Sequence, residues 1–237
     1  MSTVASTTPS GDPRCTGTWV TTLGTAGGVA DPAYPVSTIT HPREPRMSDR
    51  YPVTELADLP EDIRERILAE QEKAGFIPEV FLMFGRRPAE WRAFFAYHDA
   101  LMDREGSNMS KADKEMIIVT ISGQNRCQFC VVAHGAILRI VKKDPLIADQ
   151  LAVSHHKADL TPRERAICDF ATKINLRSDE LGDADFAALA EHGLDDEDAW
   201  DIAAITALFG LSNRLANATD MRPNAEFYTM GRLPRQK

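Results

Sequence analysis

From about Leu59 onward the apolar residues recur at spacings of three and four, and no alternating stretch of convincing length interrupts them. That period belongs to helices with one buried stripe, since a strand needs its apolar residues two apart. The chain therefore reads as all-α. Its punctuation agrees. A helix over residues 60–73 ends at Gly75, which suits a left-handed cap, and a short apolar piece over 80–84 stops at Gly85. Pro88 fits the first turn of a helix carrying Trp91, Phe94, Phe95 and Leu101. Ser110 with Asp113, and Thr161 with Glu164, have capping-box spacing. Asp183 is expected to cap a helix that ends at His192 and Gly193, and Asp195 the next one. Residues 200–211 are apolar nearly all round and read as a central buried helix. The stretches 109–114 and 160–165 echo each other in cap and charge pattern, which suggests two degenerate helical repeats.

Composition divides the chain. More than half of residues 1–46 are Ser, Thr, Pro or Gly, too little apolar surface to offset the entropy of ordering. This segment is expected to be a disordered tail, or to lie upstream of a true start at Met47, with the helical domain over 47–237. The formal net charge of −8 without a basic stripe argues against nucleic acid. No run approaches the roughly 18 apolar residues of a membrane span, and no secretory signal pattern opens the chain, so a cytoplasmic location is expected.

Of the four cysteines, Cys127 and Cys130 alone are close in sequence. In a reducing compartment such a pair points to redox chemistry or metal binding more than to a structural staple. Gly123, Gln124 and Asn125 read as the break that ends one helix, and the next runs over 126–143. On it Cys127, Cys130 and His134 fall at i, i+3 and i+7 and share a face with Val131, Leu138 and Val141. The first turn stabilises a thiolate, the reacting form of the thiol. His134 stands one turn past Cys130, placed to accept or relay a proton. Glu115 lies in the preceding helix; packed back antiparallel, its carboxylate orients His134. A nucleophile, a resolving thiol and a proton relay suggest peroxide reduction or dithiol–disulfide exchange. The same four side chains are also ligands of plausible type for a metal, although no second CxxC or HxxxH accompanies them.

The pattern Glu-x11-Cys-x2-Cys-x3-His, here Glu115, Cys127, Cys130 and His134, resembles the active-site motif of AhpD-like alkylhydroperoxidases of the carboxymuconolactone decarboxylase superfamily. The likeness extends from about residue 50 to the C-terminus, through 75–81, 159–165 and 213–217, and is nearest to the longer peroxidase-related branch. It implies that Cys130 attacks a hydroperoxide, that Cys127 resolves the sulfenic acid as a disulfide, and that Glu115 and His134 relay the proton. It implies an all-helical fold assembled as homotrimers or homohexamers, an external thiol or dithiol reductant, and no cofactor besides the Cys127–Cys130 disulfide. Where some members carry a His between the cysteines, this chain has Phe129. Competing readings are a non-catalytic redox sensor, a disulfide reductase, and a cofactor-free lyase, which lacks the redox pair.

Other residues receive blander readings. Phe129, Ala133, Ala136 and Ile140 form a second apolar stripe, to be covered by the chain itself or by another subunit. Gln128, Arg139, Lys142 and Lys143 fill part of the polar arc. Cys168 reads as a core cysteine and Cys15 as incidental. The His155-His156 pair reads as a solvated helix end, and His98 as a satisfied, half-buried histidine. Asn213, Arg214 and Asn217 are assigned to buried helix ends, and 195–198 to capping rather than to a metal loop.

Overall fold

The structure is a computed structural model that describes residues 50–232. The expectations for residues 1–46, Cys15 and a start at Met47 fall outside the described residues. Among the described residues there are ten α-helices and no strand. They are α1 Glu61–Ala74, α2 Glu79–Gly85, α3 Pro88–Met102, α4 Lys111–Gln124, α5 Gln128–Lys142, α6 Ile147–Ser154, α7 Pro162–Arg177, α8 Asp183–Ala190, α9 Asp196–Ala218 and α10 Ala225–Thr229.

Most helix starts and stops form as the sequence predicts. Gly75 takes φ 84 and its N–H returns to the carbonyl of Gln71, the left-handed cap that a residue without Cβ adopts freely. Both capping boxes form, and Arg163 ties them together by bonding to Asp113 and to the carbonyl of Asn108. The internal likeness stops there: α4 leads within three residues to the thiol helix, whereas α7 leads to a short 3-10 turn and α8. Asp195 caps α9 as expected, and Asp198 closes a capping box with it. Asp183 does not cap α8. Gly182 holds that position, because Asp185 reaches back to its N–H at 2.9 Å, and the acid three residues inside a helix is the one with that reach.

The centre of the fold is α4, not α9. Every residue of α4 from Asp113 to Ser122 is buried, and the helix packs against α5, α6, α7 and α9. On α9, Ile202, Ile205 and Phe209 face inward, but Trp200 is 71% exposed, Leu211 50% and Leu215 42%. An all-round apolar sequence shows that a helix avoids water on several sides without showing which sides its own chain covers.

Burying α4 forces its three buried charged residues, Asp113, Lys114 and Glu115, to find partners. Asp113 closes the capping box, and Glu115 meets a histidine described below. Lys114 is 2% exposed and donates to the carbonyls of Leu101 and Met102, at 2.8 and 3.1 Å. It thereby satisfies the end of α3. Gly123 lies within α4 rather than breaking it, and its role is proximity. A Cβ there would stand 2.3 Å from the carbonyl oxygen of Ala152 in α6. Backbone cannot yield as a flexible side chain does, so Gly123→Ala is expected to destabilise the fold by roughly 3 kcal/mol. Urea unfolding measures this, and a change within error of zero contradicts the close packing of α4 on α6.

The second stripe of α5 is covered by the chain's own C-terminal segment. Phe129, Ala133 and Ala136 pack with Met221 and Phe227, while Ile140 remains 44% exposed. Arg139, expected in the polar arc, is 3% exposed and donates to the carbonyls of Phe227 and Met230. It fastens α10 over α5.

Candidate active site

Three backbone bonds after α4 decide where the thiols sit. Asn125 donates to Ile121 O, Arg126 to Gly123 O, and Cys127 to Ser122 O, at 2.9, 3.1 and 3.0 Å. With Arg126 at φ 54, the last two are the paired bonds of a Schellman turn. The left-handed position costs a non-glycine residue roughly 1 kcal/mol. In return the chain reverses in three residues, and Cys127 becomes at once the end of one turn and the N-cap of α5. The thiol helix thus begins at Gln128, two residues later than its sequence suggests. Carboxamides brace the turn: Asn125 bonds Asn175 and Asn213, Gln124 bonds Thr172 and Asn175, and Asn217 reaches the carbonyl of Asn125.

The sequence-derived residues converge as two pairs. Cys127 and Cys130 are free thiols, 0% and 1% exposed, with sulfurs 2.7 Å apart. The Cys130 N–H points at the Cys127 sulfur from 3.3 Å. His134 Nδ1 faces Glu115 Oε2 at 2.9 Å. With the carboxylate accepting from Nδ1, Nε2 is left as the working nitrogen. Phe209 packs edge-on against the His134 ring, 4.8 Å between centroids. Met83, Phe129, Ala133 and Ala216 close an apolar shell around the sulfurs.

Electrostatics separate the two thiols. The contact with Cys130, the N–H of Cys130, the charge of His134 and the carboxamide of Asn213 hold Cys127 below the ordinary thiol range, although burial opposes them. The same thiol–thiol contact, and then burial, push Cys130 far above it. The Cys130 N–H aimed at the Cys127 sulfur favours a thiolate at that position of the pair. A lowered value means that the thiolate fraction of Cys127 survives to lower pH. Limiting iodoacetamide at neutral pH is therefore expected to label Cys127 before Cys130, with a rate midpoint below the usual ~8.5. Peptide mapping reads the order, and Cys130 labelled first contradicts this distribution of charge.

Several other expectations resolve here. Cys168 is a core cysteine, fully buried against Thr120 and pushed up by burial to about 12. His98 is half-buried and bonded to Asp99, which Arg66 holds with two bonds; burial lowers its affinity for a proton. His156 is exposed, but His155 is not a solvated end: it is 4% exposed and bonds Asp169 of α7 at 2.8 Å. Among the described residues, His155, His156 and Asp169 are the one group of three or more candidate metal ligands within 4.8 Å of one another. That group lies beside a mixed-charge cavity of about 620 Å³ against α7 and α8, which none of the thiol residues lines. Of the three α9 polar residues, only Asn217 serves a helix end in another element. Arg214 bonds Gly210 in its own helix, and Asn213 is fully buried between Ser122 and Asn125. Sequence reading missed Lys114 and Arg139 as fixed partners and assigned Asn213 to a helix end rather than to the Ser122 and Asn125 side chains, because each meets its contacts through the fold rather than through a local pattern.

Comparison with known proteins identifies the family of this fold. Residues 88–145, which contain all four site residues, match the carboxymuconolactone decarboxylase family. A solved structure described as the alkylhydroperoxidase AhpD core of an uncharacterized peroxidase-related protein from Ralstonia eutropha JMP134 is 63% identical. It covers 78% of this chain and 97% of its own, with a TM-score of 0.77. An uncharacterized peroxidase-related protein from Silicibacter sp. TM1040 is 38% identical over 75% of this chain and 93% of its own, with a TM-score of 0.71. The debrominase Bmp8, at 22% identity and a TM-score of 0.61, covers 76% of this chain and 94% of its own and shares the fold alone. Comparison with curated proteins finds no match. On the 63% and 38% identities, each over most of both chains, the protein belongs to the AhpD-like group of the carboxymuconolactone decarboxylase superfamily.

Proposed function

We propose that the protein is a thiol-dependent peroxidase that reduces organic hydroperoxides through the Cys127–Cys130 pair. The observation that carries this reading is the pair itself: two free, touching thiols on the N-cap and first turn of a buried helix, beside a carboxylate-oriented imidazole. One thiolate attacks the terminal oxygen of ROOH; the S–O bond forms, the O–O bond breaks, and RO⁻ leaves as ROH with a proton relayed through His134 and Glu115. The second thiol attacks the sulfenic sulfur, the S–S bond forms, and water departs. The sulfurs already lie 2.7 Å apart, so reaching the ~2.05 Å of a disulfide needs little motion. An external thiol or dithiol then reduces the disulfide by exchange and becomes oxidised itself. The family resemblance gives the attack to Cys130, whereas the Cys130 N–H aimed at the other sulfur favours the thiolate on Cys127.

An apolar groove of about 560 Å³ between α3 and α9 supports an organic substrate. Met83 and Phe84 line it and also pack in the shell around the thiols. Exposed Trp200, Leu211 and Leu215 support self-association into a homo-oligomer. No helix among the described residues is long and apolar enough to cross a membrane, and a reducing cytoplasmic setting suits a cycling dithiol. The test is consumption of a simple alkyl hydroperoxide by the full chain with a dithiol donor. Turnover supports the reading. A disulfide that forms under peroxide without turnover on any donor favours a redox sensor instead.

A further inference from the structure

We propose that His155, His156 and Asp169 bind one divalent transition-metal ion, Zn²⁺ first among them, with a coordination position open toward the cavity against α7 and α8. The site stands apart from the thiols and does not depend on their chemistry.

Local structure brings the three side chains together. α6 ends at Ser154, and His155–Lys157 form a single 3-10 turn. In an extended segment two successive side chains would point to opposite sides. In this turn the two imidazoles lie side by side, 3.9 Å between centroids and tilted by 40°. Arg165 of α7 holds the turn by its backbone, donating to the carbonyls of His155 and Ala158 at 3.0 Å each. Asp169 follows Arg165 by four residues and so stands on the same face of α7, one turn on. The clamp therefore aims both imidazoles at one carboxylate. Nε2 of His155 lies 2.8 Å and Nδ1 of His156 3.6 Å from the same oxygen, Oδ1. The three donor atoms all fall within 4.8 Å of one another.

Those separations suit an ion. Zn²⁺ holds imidazole nitrogen and carboxylate oxygen at about 2.0–2.2 Å, which puts two donors on a tetrahedral ion roughly 3.3 Å apart. The observed 2.8 and 3.6 Å bracket that spacing, so closing on a metal needs little motion. Two neutral imidazoles with one carboxylate form a mixed nitrogen–oxygen set, which selects Zn²⁺ and its neighbours over Mg²⁺ or Ca²⁺. A structural tie alone accounts for buried His155 but not for His156, whose side chain is 69% exposed and whose 3.6 Å approach is too long for a hydrogen bond. Nearby charge also leaves the carboxylate to the histidines. Arg165 and Lys173 flank Asp169 by four residues on either side, yet Arg165 is engaged by the carbonyls and Lys173 by Asp185, at 2.7 and 2.8 Å. His156 and Asp169 both line the cavity of about 620 Å³, from which solvent completes the coordination shell. Binding displaces the proton shared by His155 Nε2 and the carboxylate and releases it to solvent.

Calorimetric titration of the reduced full chain with ZnCl₂ tests the site. The thiols are the other candidate ligands, so the Cys127→Ser, Cys130→Ser chain is titrated beside it, and one equivalent is expected to remain bound there. His156→Ala and Asp169→Asn, introduced into that second chain, are each expected to weaken binding by about 100-fold, the upper end of what losing an outer partner of a ligand costs. Both positions are exposed, so neither change removes core packing. Zinc binding that disappears with the thiols, or that survives both substitutions unweakened, overturns the proposal. The unsubstituted protein gives an independent reading by NMR. With enough Zn²⁺ to fill the thiols as well, the ring signals of His155 and His156 are expected to shift together while those of His98 stay. Ring signals of the pair that do not move overturn the proposal. Peroxide turnover enters neither readout, so failure of the peroxidase reading and failure of this one are seen separately.

Discussion

Cys130→Ser is expected to lower dithiol-dependent hydroperoxide consumption by about 10³-fold or more, and Cys127→Ser to do the same. A serine hydroxyl neither ionises near neutral pH nor shuttles through a sulfenic acid, so either change halts the cycle. The two variants stop at different points. If the charge distribution of the reduced pair decides the attack, Cys130→Ser takes one oxygen from the peroxide and holds it on Cys127, where a sulfenic-acid trap finds it. If the family order holds, the trapped sulfenic acid is on Cys130 in the Cys127→Ser chain. Near-normal turnover in either variant ends the peroxidase reading.

Glu115→Gln and His134→Ala are expected to differ in stability while agreeing in activity. Glu115 is 2% exposed and its paired oxygen meets His134 Nδ1 at 2.9 Å. Glutamine keeps the shape but loses the charge that orients the imidazole, and turnover should fall roughly 10²-fold, with the fold retained. Removing the imidazole instead leaves a buried carboxylate without its partner. That costs stability as well, roughly 3 kcal/mol in urea unfolding, in addition to a similar loss of turnover. Equal stability for the two variants would mean that the carboxylate finds other partners, and undiminished turnover would remove the pair from the reaction.

Much of this architecture is legible in local sequence. The caps at Gly75, Ser110, Thr161 and Asp195 form because side-chain oxygens, or a missing Cβ, act within three or four residues. The pairing of Glu115 with His134 also follows from pattern, since a short turn between two helices lays one on the other. What periodicity does not carry is what another element brings. Trp200 and Arg139 show this in opposite directions: the apolar residue lies in the open, and the charged one lies under α10. The start of α5 was displaced by two residues because a Schellman turn with arginine at its left-handed position has no glycine to announce it. Asn213 stayed hidden for the same reason as Lys114: its partners arrive from helices distant in sequence.

The central claim is that two adjacent thiols exchange electrons with a peroxide and store the result as one bond. Its most direct measurement is intact and peptide mass spectrometry of the reduced full chain after one equivalent of an organic hydroperoxide. The expected product has lost two hydrogen atoms and contains a peptide linked through Cys127 and Cys130, with Cys168 unchanged. A chain of unaltered mass, or oxidation that falls on Cys168 while Cys127 and Cys130 remain free, contradicts the account.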